Sequence, residues 1–156
     1  MMAGIKGRNT KPELVLRRAL HRAGFRYRLH RRDLPGKPDL VLPRFGAVVF
    51  VHGCFWHRHR DCRFCTTPKS NAEFWLKKFE GNVARDAAAI ESLCKSGWRV
   101  AIVWECSLRG VDLDQHLRTL ADWLGGRNQL LELPVRAPPS KLSDRNLDSA
   151  APARPC

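Results

Sequence analysis

The segment from Phe50 to Cys62, FVHGCFWHRHRDC, gathers His52, His57 and His59 with Cys54, Cys62 and the adjacent pair Phe55–Trp56. Loops usually draw on Gly, Pro, Asn, Asp and Ser for their turn geometry, so this composition points to chemistry rather than to chain reversal. Imidazoles titrate near neutral pH and serve as proton carriers or metal ligands. Thiolates and imidazoles are also the donors of structural zinc sites, which take four of them in a closed tetrahedron. Cys54-x4-His59-x2-Cys62 offers three donors from one loop, and Cys106, just past a strand-like run, offers a fourth. Cys62-x2-Cys65 is a rival pair. A set of unrelated buried thiols is the plain alternative, because free cysteine is often buried. Cys94, on a helical apolar stripe, reads as core. Phe55 and Trp56 either wedge between DNA base steps, trading unstacking for new contacts, or form a pair of core aromatics.

Two carboxylates outside this segment belong to the same argument. Asp39 follows Pro38 at the start of an apolar strand, in a basic neighbourhood. A carboxylate near a DNA phosphate can hold Mg2+, which keeps several waters and shares the phosphate oxygens. An isolated Asp after Pro is a turn residue; its place one hairpin before the histidine segment is what raises it to a candidate. Glu13 reads first as the third helical position of a capping box, Thr10-Lys11-Pro12-Glu13. It reaches the same site only if the first helix packs beside the sheet.

The whole chain narrows the partners. With 156 residues it fits a single domain with a real core. Lys and Arg number 28 against 15 Asp and Glu, a formal net charge of +13. Such an excess suggests a polyanion, and nucleic acid is the commonest, since each neutralised phosphate releases condensed counterions. No apolar run approaches the ~20 residues of a membrane span, and the N-terminus has no signal-peptide core, which predicts a cytoplasmic protein with reduced thiols. Six cysteines in that setting suggest metal ligands before disulfides.

The elements that must position these residues follow from periodicity. Leu16, Ala19, Leu20 and Ala23 recur at helical spacing up to Gly24. Phe25, Tyr27 and Leu29 alternate with Arg26 and Arg28 as a half-exposed strand. A basic loop from His30 to Lys37 precedes Leu40-Val41-Leu42, a turn at Pro43–Gly46 and the strand Ala47–Val51, together an antiparallel hairpin. Ser70-Asn71-Ala72-Glu73 reads as a second capping box, opening a helix that Gly81 kinks or interrupts and Gly97 closes. Trp98–Trp104 is strand-like, and Asp112 caps a last helix carrying Leu113, Leu117, Leu120 and Leu124. From Arg136 the composition shifts to Pro, Ser, Ala and charge, the signature of a disordered tail. One domain over residues 1–135 and a tail over 136–156 are expected. This order predicts an α/β fold with a mixed central sheet flanked by helices.

LPGKPD, FVHGCFWH, EFWLKKF followed by NVARD, and GWRVAIVWEC, in that order along the chain, closely resemble the very short patch repair (Vsr) DNA mismatch endonucleases, over about Met2 to Leu124. The resemblance implies a restriction-endonuclease-like core with a structural zinc. It implies a Mg2+-dependent nick on the 5′ side of the T in a T:G mismatch, such as deamination of 5-methylcytosine produces. By motif, Asp39 and the Val51 backbone carbonyl would hold Mg2+ and His57 would activate water. Glu13 and His52 would position water and phosphate. Cys54, His59, Cys62 and Cys106 would hold Zn2+. Phe55 and Trp56 would intercalate, with Met2 entering from the other groove and Trp75 as a further DNA-contacting aromatic. Val51 stands where some members have Thr, which spares a backbone ligand but not a hydroxyl role. Arg60-Asp61 is one residue longer than in some relatives, which leaves Cys62 and Cys65 as rivals. The chain begins about where the intercalating Met lies, so an N-terminal clamping arm is expected to be shortened or absent. The partners implied are duplex DNA with a T:G mismatch and a MutL-type repair factor, for a monomer acting at the nucleoid. Two other readings stand beside this one, a non-catalytic zinc-containing DNA damage sensor and a less selective nicking nuclease of the same fold.

Overall fold

The computed structural model describes residues 9–135, so Met2 and the expected tail at 136–156 lie outside the described residues. Their element order is α1 (Lys11–Arg22), β1 (Leu40–Leu42), β2 (Ala47–His52), α2 (Ala72–Lys95), β3 (Arg99–Trp104), α3 (Leu113–Gly125) and β4 (Leu130–Leu133). The four strands form one sheet in the order β1-β2-β3-β4. β1 runs antiparallel to β2, while β3 and β4 run parallel to it, making the sheet mixed. This is the α/β class that the element order predicts.

β1, β2 and β3 read as nearly unbroken apolar runs because both faces of the sheet are covered there. Leu40, Leu42, Ala47, Val49, Ala101 and Val103 point to one side, onto Leu16 and Leu20 of α1 and Leu120, Trp123 and Leu124 of α3. Val41, Val48, Phe50, Val100, Ile102 and Trp104 point to the other, onto Ile90, Leu93 and Cys94 of α2. Burying each Val, Leu, Ile or Phe side chain among them stabilises the fold by roughly 1.5–3 kcal/mol before entropy is counted. Cys94 is therefore core, as its stripe predicts.

Five local features differ from expectation. The Phe25–Leu29 stretch packs on the α1/α3 side but makes only an isolated bridge, Arg28 to Val41. β1 is short and His30 enters the left-handed region (φ 58°), so the ladder cannot extend. The second capping box does not form. α2 starts at Ala72, and Asn71 (φ 54°) lacks the extended backbone from which a side chain caps. Asp112 likewise precedes α3 without a side-chain cap bond. Gly81 neither kinks nor interrupts α2, a single helix of 24 residues, about 36 Å long. β4 was absent from the predicted elements, since an apolar run as short as LLEL does not separate strand from helix by periodicity.

Gly36 shows why the LPGKPD turn needs its glycine. Its φ is +70°, and a Cβ there would lie 2.7 Å from the Ala89 side chain and 3.1 Å from the Phe50 ring. The turn closes directly onto α2 and β2, and so fixes the start of β1, where Asp39 stands.

Candidate active site and metal centre

Asp39 sits where the β1–β2 ladder runs out. Its N–H donates to the Val49 carbonyl at 3.0 Å, and its Oδ2 accepts the Val51 N–H at 2.7 Å. The carboxylate thus replaces the next backbone acceptor of the ladder, and the two strands can part there. A cleft of about 840 Å³ opens at this point, lined on one wall by Glu13 and Arg17 of α1 and on the other by His57, Asn82 and Asp86. Burial pushes the Asp39 carboxyl up to about 7. Glu13 raises it further, whereas the Val51 N–H, Arg17 and His57 pull it down.

The strand's alternation divides the residues next to it. Val51 faces the α1/α3 side of the sheet, while His52 turns to the α2 side and packs against Trp104. His52 is buried, and its ring stacks on His57 at 4.0 Å with an interplanar angle of 5°. Burial, and then the neighbouring His57, push its pKa down to about 3, so it stays neutral near physiological pH. The two histidines are therefore not interchangeable as bases. His57 Nδ1 lies 2.6 Å from Asp86 Oδ2. A carboxylate there holds the proton on Nδ1 and leaves the Nε2 lone pair as the basic position. Asp86, within the NVARD stretch, was not singled out from sequence, because a carboxylate on a long helix reads as solvated surface. His52, His57 and Asp86 also have donor atoms within 4.8 Å of one another. Parallel stacked rings, however, direct their in-plane lone pairs into separate planes, which suits a proton relay better than one ion.

Glu13 serves both of its expected readings. Thr10 Oγ1 accepts from the Glu13 N–H and donates to Oε1, while Oε2 accepts the Asn9 N–H at 2.9 Å. The residue is a helix cap and a wall of the cleft at once.

Behind the histidines, Cys54, His59, Cys62 and Cys106 bring their donor atoms within 4.8 Å of one another. His59 Nδ1 lies 3.7 Å from Cys54 Sγ and 3.4 Å from Cys106 Sγ. A tetrahedral zinc with ordinary bond lengths requires S···N edges of roughly 3.6 Å, so the donor set fits that ion. Cys65 is outside the cluster. Burial raises the Cys54 and Cys106 thiols above their ordinary range, a cost that a bound cation reverses. Cys106 comes from the short 3-10 turn after β3, Glu105–Leu108, and is the only donor outside the loop.

The aromatics gather at the rim. Phe55 meets Trp56 edge-on at 5.0 Å and rests on buried Phe79 at 5.2 Å, and Trp75 lies 5.9 Å from both Phe55 and Trp56. Phe55, Trp56 and Trp75 are half-buried, supported from below and open above. Lys78 Nζ stands within 6 Å of the Trp56, Trp75 and Phe74 rings. Asn82 donates to the Trp56 carbonyl at 3.1 Å, tying the wedge loop to α2. Of the candidate site residues, then, Met2 alone is outside the described residues; the cleft and the Cys54, His59, Cys62 and Cys106 cluster adjoin through Trp104, whose ring meets both His52 and His59. Lys78, Asn82, Asp86 and Arg17 join them from helix faces.

Among the described residues no helix is long and apolar enough to cross a membrane. The family model described as DNA mismatch endonuclease Vsr matches residues 1–63. The type II nicking enzyme V.XorIIP of Xanthomonas oryzae pv. oryzae is 47% identical over 123 residues, covering 78% of this chain and 90% of its own. The DNA mismatch endonuclease Vsr of Escherichia coli is 42% identical over 138 residues, 86% of this chain and 88% of its own. The type II nicking enzyme V.NmeAIP of Neisseria meningitidis is 45% identical over 109 residues, 70% and 77% of the two chains. Relatives this similar, matched over 77% to 90% of their own length, show that the chain is a DNA endonuclease and belongs to the Vsr family of DNA mismatch endonucleases.

Proposed function

We propose that this endonuclease nicks one strand of duplex DNA on the 5′ side of the T in a T:G mismatch, with Mg2+ as catalytic ion and Zn2+ as structural ion. The observation that carries the reading is the His57–Asp86 pair at 2.6 Å beside Asp39 in one cleft, with the aromatic trio at its rim. Asp39 and the Val51 carbonyl would hold Mg2+, which when bound polarises the phosphate and offsets charge on the leaving oxygen. His57 takes the proton of the attacking water on Nε2, and Asp86 stabilises the resulting imidazolium. The water oxygen bonds to phosphorus as the P–O3′ bond breaks, and the leaving O3′ takes a proton from solvent, giving a 3′ hydroxyl and a 5′ phosphate. Neutral His52 hydrogen-bonds to the phosphate, and Glu13 orders water from the opposite wall. Cys54, His59, Cys62 and Cys106 would hold zinc, which keeps the loop bearing His57 in place. Phe55, Trp56 and Trp75 insert beside the mismatch, where base pairing is weakest and unstacking costs least. Met2 completes the intercalating set from the other groove. The setting is the bacterial cytoplasm, at the nucleoid, with a MutL-type factor as protein partner.

End-labelled duplexes carrying T:G, other mismatches or matched pairs, incubated with Mg2+ or with EDTA, test this reading. One nick, mapped 5′ to the mismatched T and seen only with Mg2+, is expected. Trp56→Ala is expected to lose about tenfold or more in preference for the mismatched duplex, as loss of a stacked base contact implies. Its affinity for matched duplex should move far less. Equal nicking of matched and mismatched DNA by the unaltered protein overturns the specificity, and nicking in EDTA overturns the ion.

Asp86→Asn keeps the size of the side chain but no longer favours the Nδ1 proton or the imidazolium. Single-turnover nicking is expected to fall by about 10²-fold or more, with binding of the mismatched duplex unchanged. Undiminished nicking would remove the pair from the mechanism.

A further inference from the structure

We propose that Arg17 is a positioning residue for the nicking reaction, acting through Glu13; the inference rests on the reading of Glu13 as part of the site. Arg17 is only 8% exposed, on the buried face of α1, and it lines the cleft. Its guanidinium is forked. Nη2 donates to Glu13 Oε2 at 2.9 Å, and Nη1 donates to Asn9 Oδ1 at 2.7 Å. Nε has no hydrogen-bond partner among the described residues.

Helix capping does not account for this arrangement. The Thr10–Glu13 cap is complete without Arg17: Thr10 serves the Glu13 N–H, and Glu13 serves the Asn9 N–H. A buried cation with an unsatisfied Nε is a cost to folding, and an apolar side chain at this helical position would pack at least as well. What the guanidinium adds is orientation. Glu13 can turn about its own side-chain bonds, and three donors on two sides now hold it: Thr10 on Oε1, Asn9 N–H and Arg17 on Oε2. The second arm of the fork pins Asn9, in the left-handed region at φ 56°, so that the strap carrying two of those donors is itself fixed. Lysine cannot reproduce a two-pronged grip. Arg17 is thus to Glu13 what Asp86 is to His57, a partner behind the group that faces the cleft. Such outer partners are commonly worth 10–100-fold in metal affinity or activity.

The test compares R17M, R17K, E13Q and E13Q/R17M with the unaltered full-length protein. Nicking of the T:G duplex is followed against Mg2+ concentration, and the Mg2+-dependent rise in Tm is measured without DNA. R17M is expected to slow nicking by about 10–100-fold and to raise the half-saturating Mg2+ concentration about tenfold in both measurements. R17K should fall between R17M and the unaltered protein. In the E13Q background, adding R17M should change either quantity by no more than about twofold, because coupled residues share one effect. Should R17M not fold, R17K and E13Q/R17K take its place in the same comparison. An Arg17 substitution that lowers nicking equally in both backgrounds overturns the proposal while leaving Glu13 in place, as does an Arg17 substitution with unaltered rate and Mg2+ midpoint. A fully active E13Q with an unaltered Mg2+ midpoint instead removes Glu13 from the site, and the failure then belongs to the functional reading.

Discussion

Asp39→Asn is expected to lose nicking by about 10³-fold or more, the rate equivalent of the several kcal/mol that a catalytic ion supplies, and to become more stable in doing so. The second half follows from where the carboxyl stands. Its folded pKa of about 7 exceeds the ordinary carboxylate value, so the folded state binds its proton more tightly than the unfolded chain does. The contribution of this carboxyl to stability is therefore fully present below about pH 4, falls as the pH rises toward about 7, and is lost above it. Asparagine carries no charge to desolvate, and its Oδ1 can still accept the Val51 N–H. In metal-free buffer the variant's Tm should exceed that of the unaltered protein at pH 8, with the difference shrinking toward pH 5. Mg2+ should then raise Tm in the unaltered protein and not in the variant, because ligand binding to the folded state alone stabilises it. The same linkage makes nicking at sub-saturating Mg2+ rise with pH and level off above about 7. A variant that nicks within tenfold of the unaltered protein removes Asp39 as a ligand. An unchanged Tm at pH 8 removes the burial argument.

Cys106→Ser is the second large effect, and it acts on folding rather than on chemistry. Cys54, His59 and Cys62 belong to one loop, and Cys106 is the one donor of the four that comes from beyond it, just after β3. Losing one thiolate of a structural site removes several kcal/mol, which in a chain of this length is about 10 °C or more in Tm. Zinc content should fall well below one per chain, and nicking should fall with it, since His57 lies between Cys54 and His59. Cys65→Ser is the control and should stay zinc-replete. Full zinc in Cys106→Ser, or its loss in Cys65→Ser, reverses the ligand assignment.

Local chemistry was readable in the chain, and long-range pairing was not. The β1–β2 hairpin follows from a Pro–Gly turn between two apolar runs, and the donors of the loop are visible because histidine and cysteine rarely crowd together. Glu13 was recognisable as a cap, but its second face depended on α1 packing beside the sheet. Asp86 lies far along the chain from His57, and one turn of helix looks like another until its neighbour is known. Gly81 misled for a similar reason. A glycine in a helix costs only about 1 kcal/mol relative to alanine, and packing of α2 on the sheet outweighs that cost. The box at Ser70 failed because the helix starts one residue later than its pattern implies. Between Cys62 and Cys65, spacing alone could not choose; in space it is Cys62 that gathers with Cys54, His59 and Cys106.

The apolar runs of β2 and β3 have a consequence for how the protein fails. Sliding β2 by one residue exchanges Val48 for Val49 with no loss of apolar character, and Phe50 is the one large apolar side chain it displaces. The same slip carries His52 to the α1 side of the sheet and Val51 to the α2 side, exchanging the environments of the two residues beside Asp39. Misfolded chains of this kind would be compact, helical and inert. What opposes them is a handful of polar or steric contacts: the Asp39–Val51 hydrogen bond, the left-handed turn at Gly46 and the absent side chain at Gly36. Quality control of this enzyme therefore resides in its turns and its carboxylate more than in its core, and active fraction is a more telling measure of a preparation than helical content or solubility.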